Sequence, residues 1–350
     1  MIKKIRRKNK KTDENLPTRI TNDTVAEHRE KVLAGGRKLR YPRQYTKHAL
    51  VRNTIIVSLA VLVALSLLVW MQLYVRKDTS DLAYRITRVL PLPVAKIDGA
   101  YARYGDYLLY HRSTVAVLEK QNTEGATASD RMQFQQGQAL DRVLEDAYAQ
   151  KIAKERGITV TDEQADQLIE EKRKEAGMTE SAYAVAVSDQ LNWTMSELHQ
   201  AMKYTLLRRE VAYSVDDTAT QTVEKVEKLL KSGKSLDEVA ESLGKSVELQ
   251  QNIVVPENNA DGGLSQAAQK LKVGETSGVT KTMSGDGYYF IKRVAGTDDT
   301  IGYSYIKVPL TKFKEEFNKV KNDKNKTKLF IEIQQTTSVD DTSSAAEEKK

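Results

Sequence analysis

The sequence predicts an α+β multidomain protein built outward from one membrane-spanning helix, and three observations carry that prediction. No charged residue occurs between Arg52 and Arg76. Across residues 94–211 apolar residues recur mostly at helical intervals. After Asp216-Asp217 the texture changes to short helices alternating with β-like runs. The expected order is a basic arm (1–52), a transmembrane helix (53–75), a tether (76–92), an all-helical domain (93–212), a small α+β domain (213–334) and a tail (335–350).

The arm holds 16 Lys/Arg against 5 Asp/Glu, a surplus of 11, so the net +7 of the chain leaves −4 for residues 53–350. Gly35-Gly36 and Pro42 argue against a long helix here, and disorder is expected apart from a short helix near residues 25–33. Residues 55–69 are almost wholly aliphatic, and a bilayer core of ~30 Å needs ~20 helical residues. Trp70 and Tyr74 suit the interfacial aromatic belt. The basic arm reads as the cytoplasmic side, placing residues 76–350 beyond the membrane. The lipid bilayer is therefore an expected partner, with anionic lipid a second one at the arm and no nucleic acid expected. Pro91-Leu92-Pro93 stiffens the end of the tether.

Ile97, Tyr101, Tyr104, Leu108, His111, Val115 and Leu118 alternate at intervals of four and three, one face of a long helix. His111 on that seam reads as a half-buried, hydrogen-bonded histidine. A second helix turns Leu140, Leu144, Ala147, Tyr148 and Ile152 inward and ends at Gly157. Thr161-Asp-Glu-Gln164 and Thr194-Met-Ser-Glu197 are capping boxes that open later helices, with a helix over residues 179–191 between them. Beyond Asp217, Ser235-Leu-Asp-Glu238 caps a short helix. Residues 249–255, 288–294, 303–308 and 329–333 are β-like, and a helix with Phe313 and Phe317 lies between the last two. The small, polar residues 335–350 read as a disordered tail.

The chain has no cysteine, which excludes disulfides, thiolate metal sites and cysteine nucleophiles. His28, His48, His111 and His199 share no metal-ligand spacing, so no metal and no cofactor is expected. Gly262-Gly263 lacks the frame and lysine of a phosphate loop.

Two stretches resemble known families. Pro93-Val-Ala-Lys-Ile-Asp-Gly99, Lys154-Glu-Arg-Gly-Ile-Thr-Val-Thr-Asp-Glu163, Gly177-Met-Thr-Glu-Ser-Ala-Tyr183 and Asn192-Trp-Thr-Met-Ser-Glu-Leu198 resemble, in order, the peptide-binding N-terminal domain of SurA and trigger-factor-like chaperones. Leu229-Leu-Lys-Ser-Gly-Lys-Ser-Leu-Asp-Glu-Val-Ala240, Gly262-Gly-Leu264, Leu271-Lys-Val-Gly-Glu-Thr-Ser277 and Gly287-Tyr-Tyr-Phe-Ile-Lys292 are similar to a parvulin-type prolyl isomerase domain. That second likeness is degenerate. The family's first strand carries a histidine, and residues 211–219 supply none; its second histidine falls on Tyr289; Leu264 stands where an aromatic often floors the proline pocket. The last histidine of the chain is His199. Residues 303–308 alternate in a way that lets them fill the missing first strand from later in the chain.

Together the two resemblances imply a SurA- and PrsA-like foldase, anchored in a bacterial cell membrane with its domains outside, which binds unfolded or newly secreted polypeptides. Tyr101, Tyr104, Leu108, Trp193, Leu198 and Met202 are the candidates for a client groove, with the core as their alternative place; Leu264 and Tyr289 are the candidates in the second domain. An active prolyl isomerase is the first alternative function, and binding through the basic arm the second.

Overall fold

The computed structural model describes residues 21–120, 128–257, 259–297 and 299–332. It separates into two compact units, residues 1–71 and 72–350. In the first, α1 (Asn22–Trp70) is one continuous helix of 49 residues. It opens where the Thr21 amide donates to Thr24 Oγ1 (3.0 Å) and ends in a π-type turn, Met71–Val75. The expected break at Gly35-Gly36 and Pro42 does not occur. Glycine weakens a helix by about 1 kcal/mol and proline removes one backbone donor, but neither forbids the helical backbone. The expected disorder of the arm is therefore not met over residues 22–52, while residues 1–20 lie outside the described ones. Residues 48–75 are long and apolar enough to cross a membrane, and their apolar window is unburied.

The second unit begins at Gln72, within the last residues of the expected transmembrane helix. Leu73 is buried, and its carbonyl accepts from the Tyr104 hydroxyl (2.8 Å). Tyr74 donates to the Pro93 carbonyl (2.7 Å) and meets the Tyr104 ring edge-on, so its side chain is held by this body. A helix then forms, α2 (Asp81–Val89), capped by Ser80. Tyr84 and Thr87 on α2 are buried. The Tyr84 hydroxyl reaches Glu197 Oε1 at 2.5 Å, and Arg88 Nη1 reaches Gln200 Oε1 at 2.6 Å. A Cβ at Gly105 would lie 2.8 Å from the Thr87 carbonyl oxygen. Gly105→Ala is thus expected to lower the thermal midpoint of the full chain, at a cost of about 1–3 kcal/mol. An unchanged or higher midpoint would mean that α2 yields and the helix propensity of alanine wins.

Residues 93–103 are a β-hairpin, which corrects the helical reading from residue 94. β1 (Pro93–Ile97) pairs antiparallel with β2 (Ala100–Arg103). Asp98 (φ +44°) and Gly99 (φ +91°) form the two-residue turn, a dipeptide suited to left-handed backbone at both positions. The four-residue interval from Ile97 to Tyr101 spans this turn and only mimics a helical face. The helix begins at Tyr104: α3 (Tyr104–Lys120) carries Tyr104, Tyr107, Leu108 and Leu109 into the centre of the body. α4 (Ala128–Arg156) and α6 (Glu180–Leu191) pack against α3, α7 (Met195–Val215) packs against α4, and α5 (Asp162–Glu175) packs against α7. The boxes at Thr161 and Thr194 cap α5 and α7 as their spacing requires.

The rest is an inserted α+β domain followed by a return. α8 (Asp217–Lys231) and α9 (Leu236–Leu243) cover one face of a sheet of β3 (Glu248–Pro256), β4 (Thr280–Lys281), β5 (Gly287–Gly296) and β6 (Thr300–Pro309). α10 (Leu264–Gln269) covers the other face. All pairings are antiparallel, in the order β3-β6-β5-β4. β6, which contains residues 303–308, is therefore a central strand. The chain then returns to the helical body. On α11 (Lys312–Asn322), Phe313 and Phe317 pack on Tyr148 of α4, and Lys321 pairs with Asp141 at 2.7 Å. β7 (Thr327–Leu329) adds to β1, giving a sheet β2-β1-β7. The helical domain thus carries a small sheet and is not all-helical. Of the expected β-like run 329–333 only Leu329 falls in this strand, and residue 333 and the tail lie outside the described ones.

Candidate client-binding surfaces

The groove candidates do not come together as an open surface. Tyr104 and Leu108 are completely buried, and Leu198 is buried on α7. Trp193 is buried too, its Nε1 donating to the Leu109 carbonyl (3.0 Å). Met202 packs against Ala165, Leu168 and Leu206. Tyr101 alone is largely exposed, at 60 %, with Lys96 Nζ 5.3 Å from its ring centroid. Most of the groove candidates are thus occupied by the body's own packing.

The open surface lies elsewhere. A cleft of about 1070 Å³ separates the segment 76–79 from α3 and the first turns of α4. α3 contributes His111, Arg112, Val115 and Glu119; α4 contributes Met132, Gln133, Gln135 and Gln136. Asn192 and Glu332 complete the wall. Arg112 is held at one end: its Nη1 reaches Glu197 Oε1 and its Nη2 the Asn192 carbonyl, both at 3.2 Å, and it lies over the Tyr84 ring. Glu197 is also the capping carboxylate of α7. Burial pushes its pKa up, but the Thr194, Tyr84 and Arg112 contacts outweigh it and hold it below the usual range. His111 departs from its expected hydrogen-bonded state: it is buried, and its Nε2 has no partner among the described residues. Burial holds its pKa below the ordinary value, which keeps the imidazole neutral.

In the sheet domain Leu264 and Tyr289 do meet, in one cluster with Ile291 and Tyr303 under α10. Tyr289 is 4 % exposed, and its hydroxyl donates to Asp286 Oδ1 (2.9 Å) and Oδ2 (3.1 Å). Asp286 also accepts from Ser284 (2.6 Å) and pairs with Lys307 (2.8 Å). Burial raises the Asp286 pKa, but the Lys307, Ser284 and Tyr289 contacts prevail and hold the carboxyl below its usual range. The Tyr303 hydroxyl is engaged in the same way by Asp261 (2.8 Å). Each hydroxyl is a committed donor to a carboxylate, so neither Tyr289 nor Tyr303 offers an O–H to an incoming prolyl bond. Among the described residues no group of His, Asp and Glu is arranged to hold a metal ion.

Residues 43–212 match the family model of a SurA-like N-terminal domain. The match supports a SurA-like N-terminal domain over these residues and suggests a chaperone-type function with unfolded polypeptides as clients. No curated protein and no solved structure matches the chain significantly. The cleft residues were not legible in advance. The amide-rich run Gln133-Phe-Gln-Gln-Gly-Gln138 was its one sequence signal, and it carries no apolar period.

Proposed function

We propose that the chain is a single-pass chaperone of the bacterial cell membrane, with the arm in the cytoplasm and residues 76–350 outside, holding unfolded exported polypeptides. One observation carries this: the SurA-like match runs from residue 43 to 212 and so includes both the apolar helix and the body that follows it. The surplus of positive charge before the helix supports the orientation. The client surface in this reading is the cleft beside α3, whose mixed wall suits weak, sequence-tolerant contacts. The inserted domain is read as a degenerate parvulin-like module, with β6 in place of the family's first strand. Its engaged tyrosines argue against appreciable isomerase activity.

Three measurements on the full chain test this. Protease added to intact cells is expected to digest residues 76–350. The chain in detergent is expected to suppress aggregation of a denatured polypeptide at near-stoichiometric amounts. Cis–trans exchange of a proline peptide is expected to stay at its uncatalysed rate of tens to hundreds of seconds. Protection of residues 76–350 from the protease would overturn the topology. Aggregation that proceeds unchanged would overturn the chaperone reading, and accelerated exchange would favour the isomerase.

A further inference from the structure

We infer that the cleft beside α3 binds the main chain of an extended polypeptide, with His111 Nε2 as a hydrogen-bond anchor for one of its peptide groups. The inference rests on the chaperone reading and adds what the site recognises. A buried polar atom without a partner is uncommon, so a native orphan calls for an explanation. His111 is 7 % exposed, stands in the cleft wall and leaves Nε2 unmatched. A neutral imidazole nitrogen serves as donor or acceptor according to tautomer, and both options fit a peptide group.

The rest of the wall has the same chemistry. Gln133, Gln135 and Gln136 present side-chain amides, each a donor and an acceptor in one group, as a peptide bond is. They are only part-buried, so they remain accessible to a ligand. The charged groups balance: Arg76, Lys77 and Arg112 face Asp78, Glu119 and Glu332. Arg112 is already paired with Glu197. A wall with no surplus of positive charge does not suit a lipid phosphate or a nucleic acid, whereas it suits an uncharged backbone. Val115 and Met132 supply apolar contact of no particular shape. Recognition of this kind depends on peptide groups and tolerates varied side chains, as a holdase requires.

The test uses the full chain in detergent and a twelve-residue peptide taken from a permanently unfolded, alkylated polypeptide. The peptide is made in native, scrambled and alternately N-methylated forms. The native and scrambled forms are expected to bind alike, and N-methylation to weaken binding about tenfold, the equivalent of one unmade hydrogen bond. His111→Leu is expected to weaken the native peptide by a similar factor, and His111→Gln to restore most of it. Should His111→Leu fail to fold, Gln133→Ala with Gln136→Ala on the open wall is expected to give the same loss. Equal affinity for the N-methylated peptide, or a folded His111→Leu chain that binds undiminished, overturns the inference and leaves the chaperone reading standing. No binding of any form by the native chain overturns both.

Discussion

Replacing Arg208 by methionine is expected to destabilise the helical body by about 3–5 kcal/mol, the cost of leaving a buried charge without its partner. Arg208 on α7 is 6 % exposed and Asp146 on α4 is 2 % exposed. Their guanidinium and carboxylate pair directly, through Nη1 and Oδ1. The second carboxylate oxygen accepts from the Tyr110 hydroxyl of α3 at 2.5 Å, so one carboxylate ties three helices. Arg208 Nη2 donates to Thr205 Oγ1 (3.0 Å). Burial and then the neighbouring Arg142 charge lower the Arg208 pKa to about 10, which leaves the group charged at neutral pH. Methionine fills similar space but leaves Asp146 with the tyrosine donor and with Glu145 close by. Urea unfolding of the full chain in detergent reads the effect as a lower midpoint. Arg208→Met combined with Asp146→Leu is expected to recover most of the loss, because replacing both charges removes the desolvation cost as well. A single variant that unfolds at the native midpoint would show that the pair contributes nothing net.

The difference between what the sequence disclosed and what it concealed is one of range. The starts of α5, α7 and α9 were legible because a capping box is complete within four residues: Thr161 with Gln164, Thr194 with Glu197, Ser235 with Glu238. The apolar span was legible for the same reason, since hydropathy is a local sum. α2 was not. It docks through a tyrosine, a threonine and an alanine, and the glycine that admits it stands on another helix. The return of α11 and β7 was hidden further still, because β1 and β7 pair across more than 220 residues and no local pattern encodes such a partner. Local signals also mislead: at Asp98-Gly99 an apolar spacing that fits a helix competes with a dipeptide that turns the chain, and at Gly35-Gly36 and Pro42 helix-weakening residues stand within a continuous helix. The candidate site follows the same division. Most of the aromatic and aliphatic residues that suit a groove are packed inside, with Tyr101 exposed, because one sequence property marks both places. The cleft is lined by amides and balanced charges, which pattern analysis assigns to solvent.

Asp216→Ala is expected to cost about 3 kcal/mol and to loosen the chain at two places at once. Asp216 is 3 % exposed and stands where the helical body ends and α8 begins. Its Oδ1 accepts from the Ala219 amide (2.9 Å), the capping bond of α8. Its Oδ2 accepts from the amides of Thr311 (2.9 Å) and Lys312 (3.1 Å), where the chain leaves β6 and enters α11. One carboxylate therefore caps two helices and joins both crossings between the body and the inserted domain. Removing an N-cap side chain costs about 1 kcal/mol, and hydrogen bonds to a charged group are worth about 1.5–3 kcal/mol each before overlap between them is discounted. Alanine leaves all three amides without this acceptor at a buried junction. Asparagine keeps one acceptor and turns an amide donor toward the others, so Asp216→Asn is expected to recover less than half of the loss. Limited proteolysis of the full chain distinguishes a clasp from an ordinary cap. A clasp predicts faster cleavage near both residues 216 and 311, with the interior of α7 protected. Cleavage that accelerates near residue 216 alone would reduce Asp216 to the cap of α8, and the two crossings would then be held independently.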